Sequence, residues 1–253
     1  MKLLLKTFIS VSVLLLNAAC FVTTLPPAPT ATPTLAATAT PTIVWFPPTS
    51  TPVVPPTAAP LPTPDLRPGV GSLLLEDDFS ENSVWSTITD SYASVAIANA
   101  RINLSLRSGK DYLLTTRTSP IFADFYLEIT ANPSICQGAD EYGLIVRNDD
   151  GDHYRLSLTC DGRASVQRFF NNSLSRQTEW VENPTIPNLA PSSSRLAVWA
   201  DGNEIRFFVN DLYLFSVTDR ELFKGTVGVF VHTSGESDVS VSFSELEVWE
   251  LED

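Results

Sequence analysis

Beyond about Ser72 no stretch of this chain sustains a helical period over ten residues. Apolar residues instead come in short runs that alternate with polar ones, and turn signals separate them. The runs are Ser94–Ala98, Arg101–Arg107, Tyr112–Arg117, Phe122–Thr130, Tyr142–Arg147, Tyr154–Cys160, Ala164–Phe170, Arg195–Ala200, Glu204–Val209, Leu212–Val217, Thr226–Val231 and Val239–Phe243. Asp150-Gly151, Asp161-Gly162 and Asp201-Gly202 are pairs suited to the positive φ of tight hairpins. Some twelve strands at this spacing predict an all-β domain of two packed sheets, a sandwich or jelly roll.

Alternation also assigns faces. Leu196, Val198 and Ala200 share one side of their strand, against Arg195, Ala197 and Trp199 on the other. Ile205, Phe207 and Val209 oppose Arg206 and Phe208. Tyr154, Leu156, Leu158 and Cys160 line up together and leave His153, Arg155, Ser157 and Thr159 outside. The aliphatic sets form the expected core.

The chain before Ser72 has another character. Of its 19 prolines, 14 lie between Pro26 and Pro68. Residues 20–71 are mostly Pro, Thr and Ala, with Asp65 and Arg67 as the charges. Proline fixes φ and lacks an N–H, so this stretch favours extended polyproline II and builds no ladder. It reads as a disordered stalk of some fifty residues that spans at most about 150 Å at ~3.1 Å per residue. Ile43-Val44-Trp45-Phe46 is an apolar island in it.

Residues 1–19 pair Lys2 and Lys6 with an apolar run and end in Asn17-Ala18-Ala19, the pattern of a secretory signal. Cys20, directly after Ala-Ala, resembles the lipobox of bacterial lipoproteins, though Asn17 stands where Leu is usual. The resemblance implies acylation of Cys20 and a lipid anchor at the cell envelope; plain secretion is the alternative. With Cys20 set aside, Cys136 and Cys160 form an even pair in an oxidising compartment, and one disulfide is expected.

Charge excludes some partners. From Ser72 onward 28 Asp+Glu face 13 Lys+Arg, a net charge near −15. Nucleic-acid binding needs clustered Lys and Arg and is not expected. Two histidines and three cysteines leave little for a zinc site. Asn148 to Asp152, and Asp77 with Asp78, offer oxygens to Ca²⁺, but hairpin and turn roles explain them as well. No cofactor is expected beyond that, and the domain reads as monomeric.

Several motifs together resemble the concanavalin A-like lectin/glucanase jelly rolls. They are Tyr142 to Arg147, His153-Tyr154-Arg155-Leu156, Asp161-Gly162, Arg195 to Val198, Phe208-Val209-Asn210-Asp211, Phe223 to Val229 and Val241-Ser242-Phe243, with Asp77-Asp78-Phe79-Ser80 and Trp85 upstream. Within that group the chain looks most like the 3-keto-disaccharide hydrolase-like, laminarinase-like domains of bacterial surface proteins. The sequence departs from the pattern at Asn210-Asp211, where Asn-Gly is usual, and at Phe243-Ser244, where Phe-Asp is usual.

The resemblance implies a glycan ligand or a glycoside hydrolase. Such hydrolases carry alternate carboxylates on one strand face, and Glu245-Leu246-Glu247-Val248-Trp249-Glu250 has a similar spacing. Leu246 and Val248 look core-facing, however, which sends Glu245 and Glu247 outward, and no catalytic pair is assigned. His153 and His232 read as surface or strand histidines. Sugar binding needs flat apolar rings beside fixed hydrogen-bonding groups, and the expected set is Arg147, Tyr154, Arg168, Trp180, Arg195, Trp199 and Phe208. Glycan binding at the envelope is the leading expectation, with a hydrolase or a structural adhesion module as alternatives.

Overall fold

A computed structural model describes residues 64–252 except Asn82 and Lys110. The signal sequence, Cys20, the island at Ile43–Phe46 and nearly all of the stalk lie outside the described residues.

The strands, in chain order, are β1 (Val70–Asp77), β2 (Ile88–Thr89), β3 (Ala93–Ile97), β4 (Ile102–Leu106), β5 (Tyr112–Thr116), β6 (Phe125–Ile135), β7 (Glu141–Asp149) and β8 (Asp152–Thr159). Then follow β9 (Arg163–Phe170), β10 (Ser173–Gln177), β11 (Val181–Glu182), β12 (Ser194–Asp201), β13 (Glu204–Val209), β14 (Leu212–Thr218), β15 (Thr226–His232) and β16 (Val239–Leu251). No helix occurs among the described residues. All pairings are antiparallel. One sheet runs β14-β13-β12-β6-β16-β4-β3-β2, with β1 also on β16. The other runs β10-β9-β8-β7-β15-β5, with β11 on β9. The chain is thus an all-β two-sheet jelly roll.

Turn chemistry fixes the hairpins. Asp150 and Gly151 both take positive φ and close β7 onto β8. Asn210 and Asp211, at φ 50° and 66°, close β13 onto β14 although the usual glycine is missing. Asn and Asp tolerate this left-handed region better than other non-glycine residues. The Asp201-Gly202 reading shifts by one residue: Asp201 already pairs with Glu204, so the loop is Gly202-Asn203.

The expected inward sets are buried between the sheets. Leu196, Val198, Ile205, Phe207 and Val209 from one sheet meet Tyr142, Leu144, Tyr154, Leu156 and Leu158 from the other. β16 keeps its pattern through a bulge at Glu245, whose φ is positive and where the register to β6 shifts. The extra residue leaves Phe243, Leu246 and Val248 all in the core.

Cys136, just after β6, and Cys160, just after β8, form a disulfide with a Cα–Cα separation of 5.7 Å. β6 and β8 belong to different sheets, so the bond staples the sandwich. In the chain-entropy account a loop of this length contributes about 3 kcal/mol.

The chain joins the domain earlier than composition implied. β1 begins at Val70, and the residues before it fold back over the outer face of the nine-stranded sheet. Leu66 packs there against Tyr126, Trp199 and Phe208. Gly69, at φ +72°, makes the turn and accepts a bond from the Glu252 amide; a Cβ on it would strike the Glu252 carbonyl. Only glycine fits that approach.

Candidate functional site

The outer face of the seven-stranded sheet is strongly curved. Tyr112 on β5 and Phe169 on β9 are four strand spacings apart, roughly 19 Å across a flat sheet, and are offset along the strands as well. Their ring centroids nevertheless lie 6.2 Å apart. The sheet curls until the side chains of its two flanks meet over a floor kept low by Gly143 and Gly228.

Alternation puts Arg155 at the centre of this groove. Its neighbours Tyr154 and Leu156 point into the core, so Arg155 points outward, opposite Gln167 on β9 and Ile145 on β7. Its guanidinium carbon is 3.8 Å from the Phe169 ring centroid, 4.4 Å from that of Tyr112 and 5.1 Å from that of Phe230. Only 3% of Arg155 is exposed. Burial pushes its pKa down to about 10, against the partial support of Tyr112 and Glu141. Aromatic faces attract the cation through their quadrupoles, but they offer no hydrogen-bond acceptor in the guanidinium plane.

The polar groups around it are unevenly satisfied. Gln167 donates through Nε2 to Glu141 at 3.1 Å, and His232 lies 3.3 Å from Glu141 and stacks on Tyr112. Arg155 Nε donates to His153 Nε2 at 3.0 Å. Arg155 Nη1, Ser157 Oγ, Gln167 Oε1 and His232 Nδ1 are buried with no hydrogen-bond partner among the described residues. Buried polar atoms are almost always bonded, so four orphans on one face mark a place where something else is expected to bind.

His153 is tightly held. It accepts from Arg155 at Nε2, pairs with the Gly151 carbonyl at Nδ1 and stacks on Phe169. Burial first, then the Arg155 charge, lowers its pKa to about 4. The folded value lies below the unfolded one of about 6.5, so the unfolded chain takes up a proton that the fold refuses. This contribution is complete above about pH 6.5 and is lost as pH falls toward 4, by up to about 3 kcal/mol. Urea midpoints at pH 7, 5.5 and 4 test it: His153→Gln should lose less stability on acidification than the wild-type chain. Equal losses would show that another group carries the dependence.

Of the seven expected ligand residues, Trp180 stands at the edge of this groove beside Arg163, and the other six lie outside it. Arg147 shares the outward side of β7 only by counting. It sits at φ 53°, where the ladders to β8 and β15 both shift register, and this carries its side chain beneath three loops. There it is 0% exposed and donates to the carbonyls of Gly202, Leu222 and Ala123, with Asp124 at 3.6 Å. Tyr154 is a core residue whose hydroxyl donates to Asp219, and Arg168 pairs with the same carboxylate at 2.8 Å. Both tie the loop after β14 to the sheet edge. Trp180 stands beside Arg163, whose guanidinium carbon is 5.5 Å from its ring.

Arg195, Trp199 and Phe208 do share a face, but it is the far side of the other sheet. Arg195 is exposed there and lies 3.5 Å from Glu128. Trp199 is 4% exposed; Arg206 stacks on it at 4.1 Å and its Nε1 donates to the Pro68 carbonyl. Phe208 lies under Arg67, at 5.5 Å. The chain's own segment thus occupies the ring surface expected for a ligand. Asp77 is committed as well, accepting from Trp85 Nε1, Arg117 Nε and the Phe79 amide. Asp78 caps the Ser80 amide. No acidic or histidine cluster with metal-binding geometry occurs among the described residues.

Glu245 and Glu247 also lie on that far face. Glu247 stands opposite both Glu128 and Glu76, and burial together with those charges pushes its pKa up. In the groove itself the carboxylate is Glu141; Asp161 and Glu182 stand at its edge beside Arg163.

No protein-family model matches the chain, and no curated protein matches it. Solved structures do. A carbohydrate-binding module from Bacillus subtilis superposes with a TM-score of 0.52 at 16% identity, over 66% of this chain and 96% of that one. An endo-1,3-beta-glucanase (laminarinase) catalytic domain from Thermotoga petrophila gives 0.54 at 11%, over 72% and 98%. The fold is a concanavalin A-like jelly roll. A Bacillus licheniformis beta-glucanase shares it, with a TM-score of 0.51 at 11% identity over 71% of this chain and 99% of that one. At these identities the concanavalin A-like likeness concerns architecture, and the chemistry has to be read from this chain's own residues.

What could have revealed the groove was the outward set of β8. His153, Arg155, Ser157 and Thr159 differ from the Lys and Glu of an ordinary wet face, and Ser165, Gln167 and Phe169 repeat the pattern on β9. All seven are buried.

Proposed function

We propose that this protein binds glycan on the curved face of its seven-stranded sheet, and does so without cleaving it. The observation that carries this reading is the Arg155 centre: three aromatic faces around a buried guanidinium, with unpartnered groups of Arg155, Ser157 and Gln167 beside it. The exposed part of the Tyr112 ring can take the C–H face of a sugar, and fixed donors and acceptors its hydroxyls. Hydrolysis asks for two carboxylates across the scissile bond. Glu141 accepts from Gln167 and Asp161 from Arg163, which favours binding over that chemistry.

On this reading the domain is held outside the cytoplasm by lipid on Cys20 and carried on the Pro/Thr stalk. The support is the sequence pattern of residues 1–71. Mass spectrometry of the mature N-terminus tests it, and an unmodified cysteine there would refute the anchor.

A glycan array probed with the purified protein tests the binding reading. Tyr112 is 37% exposed, but its ring also stacks on His232 and covers Arg155. Tyr112→Ala should weaken glycan retention tenfold or more, with some loss of melting temperature and circular dichroism to confirm that the domain still folds. Retention unaffected by this substitution would move the site elsewhere.

A further inference from the structure

We propose that the glycan taken by this groove is acidic, with a sugar carboxylate that docks on Arg155. The inference rests on the glycan reading and narrows its ligand class.

It starts from an imbalance of charge. Arg155 is almost wholly buried, yet no carboxylate lies within ion-pair distance of it among the described residues. The contrast is with other arginines held largely out of solvent. Arg117 has Asp77 at 2.9 Å, Arg168 has Asp219 at 2.8 Å, and Arg147 has three carbonyls and Asp124. A buried cation is costly unless it is paired and hydrogen-bonded. Here Glu141, the carboxylate of the groove, faces His232 and Gln167 instead. The missing counter-charge is what a ligand would bring.

Geometry narrows the anion. A planar guanidinium edge matches a planar carboxylate, and charge-assisted bonds of this kind are about twice as strong as neutral ones. Ser157, two residues along the same face, adds a hydroxyl donor. Gln167 has given its amide nitrogen to Glu141, so its free Oε1 can only accept, which suits a sugar hydroxyl. Donors for an anion, an acceptor for a hydroxyl and the exposed part of the Tyr112 ring for a C–H face together describe a uronic acid or a related sugar acid. The domain's net charge opposes anions at long range. That field is screened beyond about 8 Å at physiological salt, whereas a pair inside the groove is not.

The test is an array that carries acidic oligosaccharides, uronates among them, each beside its carboxyl-reduced counterpart, probed with the full chain. The expected result is retention of acidic members, with the reduced partners bound about ten- to a hundredfold more weakly. Arg155→Gln should erase that preference and Arg155→Lys most of it, with circular dichroism to confirm folding. The paired ligands give the answer on the wild-type chain even if both variants misfold. Equal binding of acidic and reduced partners, abolished by Tyr112→Ala, would overturn the acidic assignment and leave the glycan reading intact. Retention of no glycan at all would remove the glycan reading, and this inference with it.

Discussion

Arg147→Ala should melt about 10 °C below the wild-type chain. The reason is the number of groups that depend on one guanidinium. Nη1 serves the carbonyls of Gly202 and Leu222, and Nη2 serves that of Ala123. These lie in the β12–β13 turn, the loop after β14 and the loop before β6, so a single side chain gathers three loops at one end of the sandwich. Gly225 lets the chain pass close by; a Cβ there would collide with the Arg147 carbonyl carbon. Truncation opens a cavity and leaves three acceptors without a donor, each worth roughly 1–3 kcal/mol when buried. A loss of about 4 kcal/mol is expected, in line with other broken buried ion networks. For a domain of this size each kcal/mol shifts the melting temperature by roughly 2–4 °C. Arg147→Met, which keeps most of the volume, should recover only part of the loss, because it restores packing and no donor. Glycan retention measured at low temperature should survive both substitutions. The opposite pattern, an unchanged melting temperature with binding lost, would return Arg147 to the ligand site that its sequence position implied.

The Arg147 case shows where legibility in the sequence ended. Strand periodicity is local, and it placed Leu196, Phe207, Leu156 and their neighbours correctly inside. Turn residues placed the hairpin at Asp150-Gly151. The Cys136–Cys160 pair followed from parity and compartment. The edge elements β1, β2, β10 and β11 were not legible, because they are short or exposed on both faces: Leu73, Leu74 and Leu174 are all outside. The groove was missed for another reason. Tyr112 and Phe169 are 57 residues apart, and only the curl of the sheet brings their rings together. A face assignment by alternation identified His153 and Arg155 as outward, but it cannot tell a flat wet face from a closed curved one. At Arg147 a register shift broke the counting itself.

Trp199 fails as a platform for a different reason, and its prediction follows from that reason. Alternation correctly puts Trp199 beside Ala197 and Phe208 on the outer side of its sheet. Residues Leu66 to Gly69 then close over it. The Arg67 guanidinium caps the Tyr126 and Phe208 rings at 5.7 and 5.5 Å and donates to the Tyr126 hydroxyl, while Arg206 donates to the Leu66 carbonyl. The result is a second, smaller apolar cluster in which Tyr126, Trp199 and Phe208 are joined by Leu66, Trp249 and Leu251. Trp199→Ala should therefore cost about 3 kcal/mol, at the lower end for a buried tryptophan, because one wall of its site is a thin segment that can partly collapse. Arg67→Ala should lower stability by about 1 kcal/mol, through loss of its stacking and of the bond to Tyr126. Combined, the two should lose less than their sum, because once the indole is gone the segment has less to hold. Chemical denaturation of the two single variants and the double variant measures this coupling. Glycan retention should be unchanged in all three, since the curved groove lies on the other sheet. Full additivity would mean that Leu66 to Gly69 stay in place without Trp199, and loss of binding without loss of stability would mean that this face, and not the Arg155 groove, meets the ligand.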